Sequence, residues 1–134
     1  MIKLLNLTVA TDPEAISGGE NIPVNKVLYI SRVRKRNQIM VHTFDKIFYM
    51  TGTLKYWETF LNNSGFKFLN VDRGKTLNVE KVKIVNGIFK DAYFESEIAK
   101  LSQRCPIAYH RYNEVIKELE IMNPNIIFTG AATT

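Results

Sequence analysis

The sequence FKFLNVDRGKTLNVEKVKIV, residues 66–85, decides the fold. Its apolar residues alternate with polar ones before and after a central interruption, as they do in half-buried β-strands. The interruption is Asp-Arg-Gly-Lys, residues 72–75, which supplies charge and a flexible backbone but little apolar surface to pack. We therefore predict two strands joined by a short polar loop, and this loop is the first candidate for a functional role.

Sequence patterns on either side of this stretch predict further short strands. Apolar runs bounded by turn residues are KVLYISRV (26–33), IMVHTF (39–44), KIFYMT (46–51), IFKDAYF (88–94) and CPIAYH (105–110). Asp45-Lys46 and Asn86-Gly87 are suitable hairpin turns between neighbouring runs. Residues 1–10 predict an additional edge strand, with Leu5, Leu7 and Val9 on one face.

Two segments have the periodicity of amphipathic helices. Thr53 is a suitable N-cap for LKYWETFLNN, residues 54–63, and Gly65 follows at the distance expected of a helix end. A second helical pattern begins at Tyr112, and SEIAKLSQR (96–104) predicts one short helical turn. Because many short strands occur without regular strand–helix alternation, the fold class is mostly β, or α+β.

Composition indicates a soluble globular domain. The chain has 134 residues, of which 46% are hydrophobic and 23% are charged. Its apolar runs are too short to cross a bilayer, so we expect no membrane insertion. The one cysteine, Cys105, excludes an internal disulfide and suits a reducing compartment, so we expect the protein to be cytoplasmic.

The positive charge is concentrated in the middle of the chain. Residues 26–117 contain 17 basic and 8 acidic residues, a net charge of +9, whereas residues 1–25 and 118–134 each carry a net charge of −2. A basic domain between acidic ends indicates an anionic partner, most often nucleic acid. The alternative is a basic protein that has no such partner.

The order of strands, hairpin and helix followed by FLNVDRGKTLN resembles the LytTR family of bacterial DNA-binding domains. IPVNKVLYIS is similar to the family's opening strand, and IMVHTFDKIFYMTGTLKYWETFL is similar to its hairpin and following helix. The family motif Phe-x-Arg-x-His-Arg/Lys-Ser-x-Ile-Val-Asn is met by Phe68, Arg73 and Asn78, with Leu77 in place of the valine. CPIAYHRYNEVIKEL resembles the closing strand and helix, so the resemblance covers residues 22–119.

The sequence departs from the family pattern mainly where the family contacts DNA. The residues that replace the family's Arg, His, Ser, Ile and closing Ser are Asn70, Asp72, Gly74, Thr76 and Ala108. In the family the His and Ser lie in the loop that faces the DNA. The scaffold therefore resembles the family more closely than the DNA-reading surface does.

The resemblance implies an elongated stack of antiparallel β-sheets with a mid-chain helix and a C-terminal helix, in which loops read the major groove. It divides the chain into an N-terminal extension with an edge strand and a loop (1–21), a LytTR-like DNA-binding domain (22–119) and a C-terminal tail (120–134). LytTR domains typically follow a receiver domain, and 21 residues are too few for one. We therefore expect either a free-standing regulator or an excised domain.

The loop at 72–75 has side chains suited to DNA. Arg73 can donate two hydrogen bonds to guanine O6 and N7, and Lys75 suits a phosphate. Gly74 permits a positive φ and a close approach of the backbone. Asp72 can accept from cytosine N4 or orient Arg73 through an ion pair, and Asn70 occupies a position of the family motif. The alternative is an ordinary polar turn with solvated charges.

Two other basic segments are candidates for contacts to the DNA backbone. RVRKR, residues 32–36, predicts a phosphate clamp through Arg34, Lys35 and Arg36, or else a solvated loop. His110 and Arg111 precede the last helix, whose N-terminal amides favour a phosphate. The alternative there is a surface charge at Arg111 beside a Tyr112 that packs inward. We predict that all three basic segments lie on one side of the domain.

The motifs favour binding over catalysis. The two histidines and one cysteine lack metal-binding spacing, and we expect no metal, no cofactor and no enzymatic activity. The sequence predicts sequence-specific binding of double-stranded DNA by a bacterial transcriptional regulator, with two copies on tandem sites. One alternative is a protein-interaction module on the same scaffold, with a protein partner or as a homodimer, and another is an RNA-binding protein.

Overall fold

A computed structural model of the chain describes residues 5–96 and 102–130. The strands in these ranges are β1 (Asn6–Ala10), β2 (Gly19–Pro23), β3 (Tyr29–Arg32), β4 (Gln38–His42), β5 (Ile47–Thr51), β6 (Phe68–Asp72), β7 (Lys75–Asn78), β8 (Ile84–Asn86), β9 (Asp91–Tyr93), β10 (Arg104–Pro106) and β11 (Ile127–Thr129). The helices are α1 (Leu54–Asn63) and α2 (Tyr112–Met122), with 3-10 turns at Val24–Lys26, Val79–Lys81 and Tyr109–Arg111. The mostly-β fold predicted from the sequence is confirmed, and most of the helical turn predicted at 96–104 lies outside the described residues.

A seven-stranded sheet has the order β2-β1-β5-β4-β3-β7-β6. Its centre is the antiparallel meander β3-β4-β5, and β7 joins it through pairs such as Tyr29 with Leu77. β6 and β7 form the hairpin predicted for 66–85, with Asp72 opposite Lys75 and only two residues between them. The Asp-Arg-Gly-Lys interruption is therefore the turn of this hairpin.

The N-terminal part of the chain extends the same sheet. β1 is the strand predicted in residues 1–10, and its Leu7 and Val9 are buried as expected. β1 is not the edge strand, however, because β2 pairs with its outer side from Ala10–Gly19 to Asn6–Pro23. The predicted edge position was wrong because the Gly- and Pro-containing segment before residue 22 forms a strand as well as a loop.

Helix α1 begins and ends at the predicted residues. The Thr53 hydroxyl accepts a hydrogen bond from the Tyr56 N–H at 3.0 Å, an N-cap that contributes about 1 kcal/mol. Leu54 and Leu61 face the sheet and are buried, and Gly65 adopts a positive φ of 97° just beyond the helix end. The helix packs on one face of the sheet together with the side chains of β1, β3, β4 and β5.

A four-stranded sheet, with the order β10-β9-β8-β11, packs on the other face with α2. The β8–β9 turn contains the predicted Asn-Gly pair, and Asn86 Oδ1 accepts from the N–H groups of Ile88 and Phe89 at 2.8 and 3.0 Å. β11 pairs in parallel with β8, and Ile126 before it is buried. The predicted C-terminal tail, 120–134, is thus wrong for its described part, because backbone pairing holds β11 in the sheet.

Candidate nucleic-acid interface

Three loops lie side by side at one end of the seven-stranded sheet. They are the β3–β4 loop (33–37), the β5–α1 loop (52–53) and the β6–β7 loop (73–74). The Arg32 N–H donates to the Gly74 carbonyl at 3.0 Å, and the Gly52 N–H donates to the Asn37 carbonyl at 2.9 Å. Both bonds continue the pairing of the strands, so the registers of the sheet fix the positions of the loops relative to one another.

A shallow basic groove of ≈ 520 Å³ opens between these loops. The residues that line it are Arg32, Arg36, Gln38, Gly52, Thr53, Leu54, Lys55, Glu58, Asn70 and Arg73. Among these described residues, four side chains are cationic and one is a carboxylate. The N-terminus of α1 opens onto the same groove, and its partial positive charge adds to the attraction for an anion.

Arg73 is exposed at the tip of the β6–β7 hairpin. Asp72 Oδ1 accepts from the Arg73 backbone N–H at 2.6 Å, and Asp72 Oδ2 lies 3.8 Å from Lys75 Nζ. The carboxylate therefore shapes the turn and pairs with Lys75, which differs from the predicted ion pair with the Arg73 guanidinium. The Arg73 side chain is left at the surface beside the groove.

Gly74 does not adopt the positive φ that a glycine permits, because its φ lies outside the left-handed region. A Cβ added at Gly74 would lie 3.6 Å from Arg32 Nε, which is an ordinary contact. The glycine keeps the hairpin tip narrow next to Arg32, and an alanine would fit there without strain.

Asn70 and Arg111 contact each other at a half-buried position beside the β6–β7 loop. The Asn70 amide donates to the carbonyls of Asp72 and Lys75 at 2.9 and 3.1 Å, which closes the β6–β7 turn. Arg111 donates to Asn70 Oδ1 at 2.8 Å and to the Asn70 carbonyl at 3.1 Å. Both side chains are predicted to contact DNA, and these bonds hold them at the base of the β6–β7 loop.

The same contact covers the edge of the large sheet. β6 is its last strand, and an exposed strand edge is a site of unwanted pairing. The Ala108 N–H donates to the Val71 carbonyl at 3.0 Å, next to the bond from Arg111 to the Asn70 carbonyl. The segment before α2 therefore closes the edge of β6 and brings His110, which is exposed, to the same end of the domain.

Residues 33–37 form the turn between β3 and β4, and Arg32 is the last residue of β3. Arg36 N–H donates to the Val33 carbonyl at 3.3 Å, and Lys35 adopts a positive φ of 63°. Arg34 and Lys35 are exposed. Arg36 Nη1 lies 3.2 Å from Glu14 Oε2, and this contact was not predicted from the sequence.

Two further side chains, His42 and Tyr112, are buried within the domain. His42 is buried, and its Nε2 lies 2.8 Å from Ser31 Oγ while its ring stacks on Tyr29 at 4.0 Å. Burial, followed by the charge of Lys75, lowers the pKa of His42 to about 4. Tyr112 is also buried. It therefore packs inward, as the alternative interpretation of the His110-Arg111 segment predicted.

Grouped metal ligands and membrane-spanning helices are both absent from the described ranges. Among residues 5–96 and 102–130, no three His, Cys, Asp or Glu side chains are grouped closely enough to hold one. In the same part of the chain, no helix has the length and apolar character needed to cross a membrane.

The groove includes residues that were not predicted from the sequence as DNA contacts. Arg32, Lys55 and the Gly52-Thr53 turn reach it because β5 ends next to the 33–37 loop. The predicted N-cap at Thr53 was the available signal, since a helix N-terminus beside a basic loop is a frequent anion site.

Comparison with known proteins identifies the family of this scaffold. A family model described as the LytTr DNA-binding domain matches residues 19–120. The chain therefore belongs to the LytTR family of DNA-binding domains, and the resemblance found in its sequence is confirmed.

A solved structure has a similar fold. The LytTr DNA-binding domain of a putative methyl-accepting/DNA response regulator from Bacillus cereus superposes with a TM-score of 0.62. The two sequences are 18% identical, and the match covers 85% of this chain and 94% of that chain. A search of curated proteins found no match. At this identity the similarity establishes the shared fold.

Proposed function

We propose that this protein binds specific sequences of double-stranded DNA as a bacterial transcriptional regulator. The observation that carries the proposal is the hydrogen-bonded alignment of the 33–37, 52–53 and 73–74 loops around one basic groove. Phosphates bind the cations of the groove, and this electrostatic part of the affinity is independent of sequence. Sequence is read by Arg73, whose exposed guanidinium can reach the guanine edge in the major groove.

The proposed roles follow from where each side chain lies. On one side of the β6–β7 hairpin tip, the DNA phosphates are contacted by Arg34, Lys35 and Arg36. His110 contacts a phosphate on another side of the tip, and Lys75 adds a phosphate contact beside Asp72. Asn70 and Arg111 hold the tip in place. No step of this function requires a catalytic group or a cofactor.

The organisation of the domain is part of the proposal. We assign DNA binding to residues 22–119, in a protein that acts in the cytoplasm. Residues 1–21, which include β1, the 11–18 loop and the start of β2, are treated as an added segment. Two copies would occupy tandem sites without needing a stable dimer in solution. A protein-interaction module on the same scaffold is the competing function, which the following experiment separates.

Selection of bound sequences from random duplex DNA tests the proposal. We expect one short sequence to be enriched, with a negative slope of about 0.9 per contacted phosphate when log affinity is plotted against log salt. Competition with single-stranded RNA should leave most of the duplex bound. An interaction module would give neither an enriched sequence nor a salt slope.

A further inference from the structure

An acidic loop lies against the basic groove. Residues 11–18, between β1 and β2, reach the β3–β4 hairpin, where Gln38 Nε2 donates to the Pro13 carbonyl at 2.8 Å. The next residue, Glu14, places its carboxylate 3.2 Å from Arg36 Nη1. Since Arg36 also lines the groove, one of the cations available for DNA already has an acidic partner within the chain.

The backbone of the 11–18 loop is fixed by its own hydrogen bonds. The Asp12 carboxylate accepts from the N–H groups of Ser17, Ile16 and Glu14 at 2.8, 3.1 and 3.2 Å. These hydrogen bonds lower the pKa of the Asp12 carboxyl, and the bond from the Ser17 N–H has the largest effect. The Thr11 N–H also donates to the Gly18 carbonyl at 3.1 Å, so the loop presents Glu14 from a defined position.

The 11–18 loop lies outside the part of the chain that matches the family model, because that match begins at residue 19. At Gly19, which closes the β1–β2 hairpin, a Cβ would clash with the Val9 carbonyl oxygen, so only glycine fits there. Gly19 therefore favours the β1–β2 hairpin, and this hairpin places Glu14 beside the groove.

We infer that Glu14 competes with DNA phosphate for Arg36 and thereby weakens the binding of DNA to the groove. This inference rests on the proposed function. A phosphate that approaches Arg36 must displace the carboxylate or share the guanidinium with it, and the two anions repel each other. Both side chains of the pair are about half exposed, so the pair is weak enough to open.

The competition has a distinct salt signature. As long as Glu14 engages Arg36, this guanidinium does not neutralise a phosphate and so releases no counterion from the DNA. Removing the charge of Glu14 should therefore steepen the salt dependence by up to about 0.9 in the log–log slope. The gain in affinity should also shrink as salt rises, because screening weakens exposed pairs.

The test compares Glu14→Gln with Glu20→Gln in the full chain. Glutamine keeps the length and the acceptor oxygen of the side chain, so each variant loses only a charge. Glu20 is a matched control because it lies in β2 and lines a different groove, beside the β4–β5 turn. We expect Glu14→Gln to bind mixed-sequence duplex about 3- to 10-fold more tightly at low salt, and Glu20→Gln to change affinity less than about 2-fold.

A third variant shows whether the effect passes through Arg36. In an Arg36→Gln background, Glu14→Gln should have no larger effect than Glu20→Gln. The inference is overturned if Glu14→Gln matches Glu20→Gln in the native background, or if its gain is unchanged without Arg36. These failures leave the proposed function intact when the native chain still binds duplex DNA with a steep salt slope. Absence of any salt-dependent binding by the native chain overturns both.

Discussion

The guanidinium of Arg111 is bound to both the side chain and the backbone of Asn70, at 2.8 and 3.1 Å. Asn70 in turn closes the β6–β7 turn through the carbonyls of Asp72 and Lys75. The segment before α2 is thereby linked to the loop that carries Arg73. Both residues are predicted from the sequence as DNA contacts, and in the structure they join two elements of the scaffold.

Substitution of Arg111 should separate positioning from phosphate binding. We expect Arg111→Gln to lower the free energy of unfolding by about 1–3 kcal/mol, because it removes charge-assisted hydrogen bonds from a half-buried site. Affinity for the selected duplex should fall, while the salt slope stays the same. Urea unfolding and salt-titrated binding measure the two effects, with Lys117→Gln on α2 as the charge-matched control. A slope reduced by about 0.9 with unchanged stability would instead make Arg111 a phosphate contact.

Substitution of Arg73 tests whether this side chain recognises the DNA sequence. Arg73→Ala should cost roughly 1–3 kcal/mol on the selected duplex and much less on random DNA, because a two-pronged contact to guanine is lost. Arg73→Lys should restore little, since one ammonium group cannot reproduce the planar donor pair. Binding isotherms on both duplexes provide the measurement. Equal losses on selected and random DNA would show that Arg73 contacts only phosphate.

The exposed cations of the β3–β4 turn should contribute to DNA binding independently of the DNA sequence. Changing Arg34 and Lys35 together to glutamine is expected to weaken selected and random duplexes by the same factor and to reduce the salt slope by up to about 2. Arg36 is left in place because Glu14 already engages it. The measurement is again a salt titration on both duplexes. An altered sequence preference with an intact slope would contradict the phosphate-clamp assignment.

The buried His42 should make stability depend on pH. Its pKa is about 4 in the folded chain and 6.5 in the unfolded chain, so below pH 6.5 the unfolded state binds the proton more readily. The contribution of neutral His42 is therefore complete above pH 6.5 and is lost as the pH falls towards 4, by about 3 kcal/mol in total. Urea midpoints from pH 4 to 7 measure this loss.

Two histidine variants assign the pH effect to one residue. His42→Phe preserves the ring stack on Tyr29 and should flatten the pH dependence between 4 and 6.5, whatever its effect on absolute stability. His110→Gln changes the exposed histidine and should retain the slope of the native chain. If His42→Phe kept the full slope, the buried histidine would not be its source.

The sequence predicted those parts of the fold that depend on local chemistry. Thr53 and Gly65 marked the ends of α1 because capping is decided within a few residues. Asp-Arg-Gly-Lys marked the β6–β7 turn for the same reason. β11 was missed because its short strand pairs in parallel with β8, a contact between distant segments that local patterns do not indicate.

The sequence predicted which basic segments form the candidate site, but it did not predict which side chains contact one another there. The basic segments were visible as charge, yet the sequence could not show that Arg111 faces Asn70 or that Glu14 faces Arg36. Both contacts depend on which loop ends meet when the sheet is complete. Lys55 was overlooked for a related reason, since one cation on a helix is ordinary until the groove beside it is known.

The pairing of β3 with β7 has a consequence for the time course of folding. The two strands are separated in the sequence by β4, β5, α1 and β6. The β4–β5 hairpin and α1 use local contacts, which form faster than pairings between distant segments. The Arg32–Gly74 hydrogen bond exists only once β3 and β7 have paired, so the groove is assembled late. In stopped-flow refolding, we expect the ability to bind DNA to return with the slowest phase, after the far-ultraviolet signal of α1, and its return in the fastest phase would contradict this order.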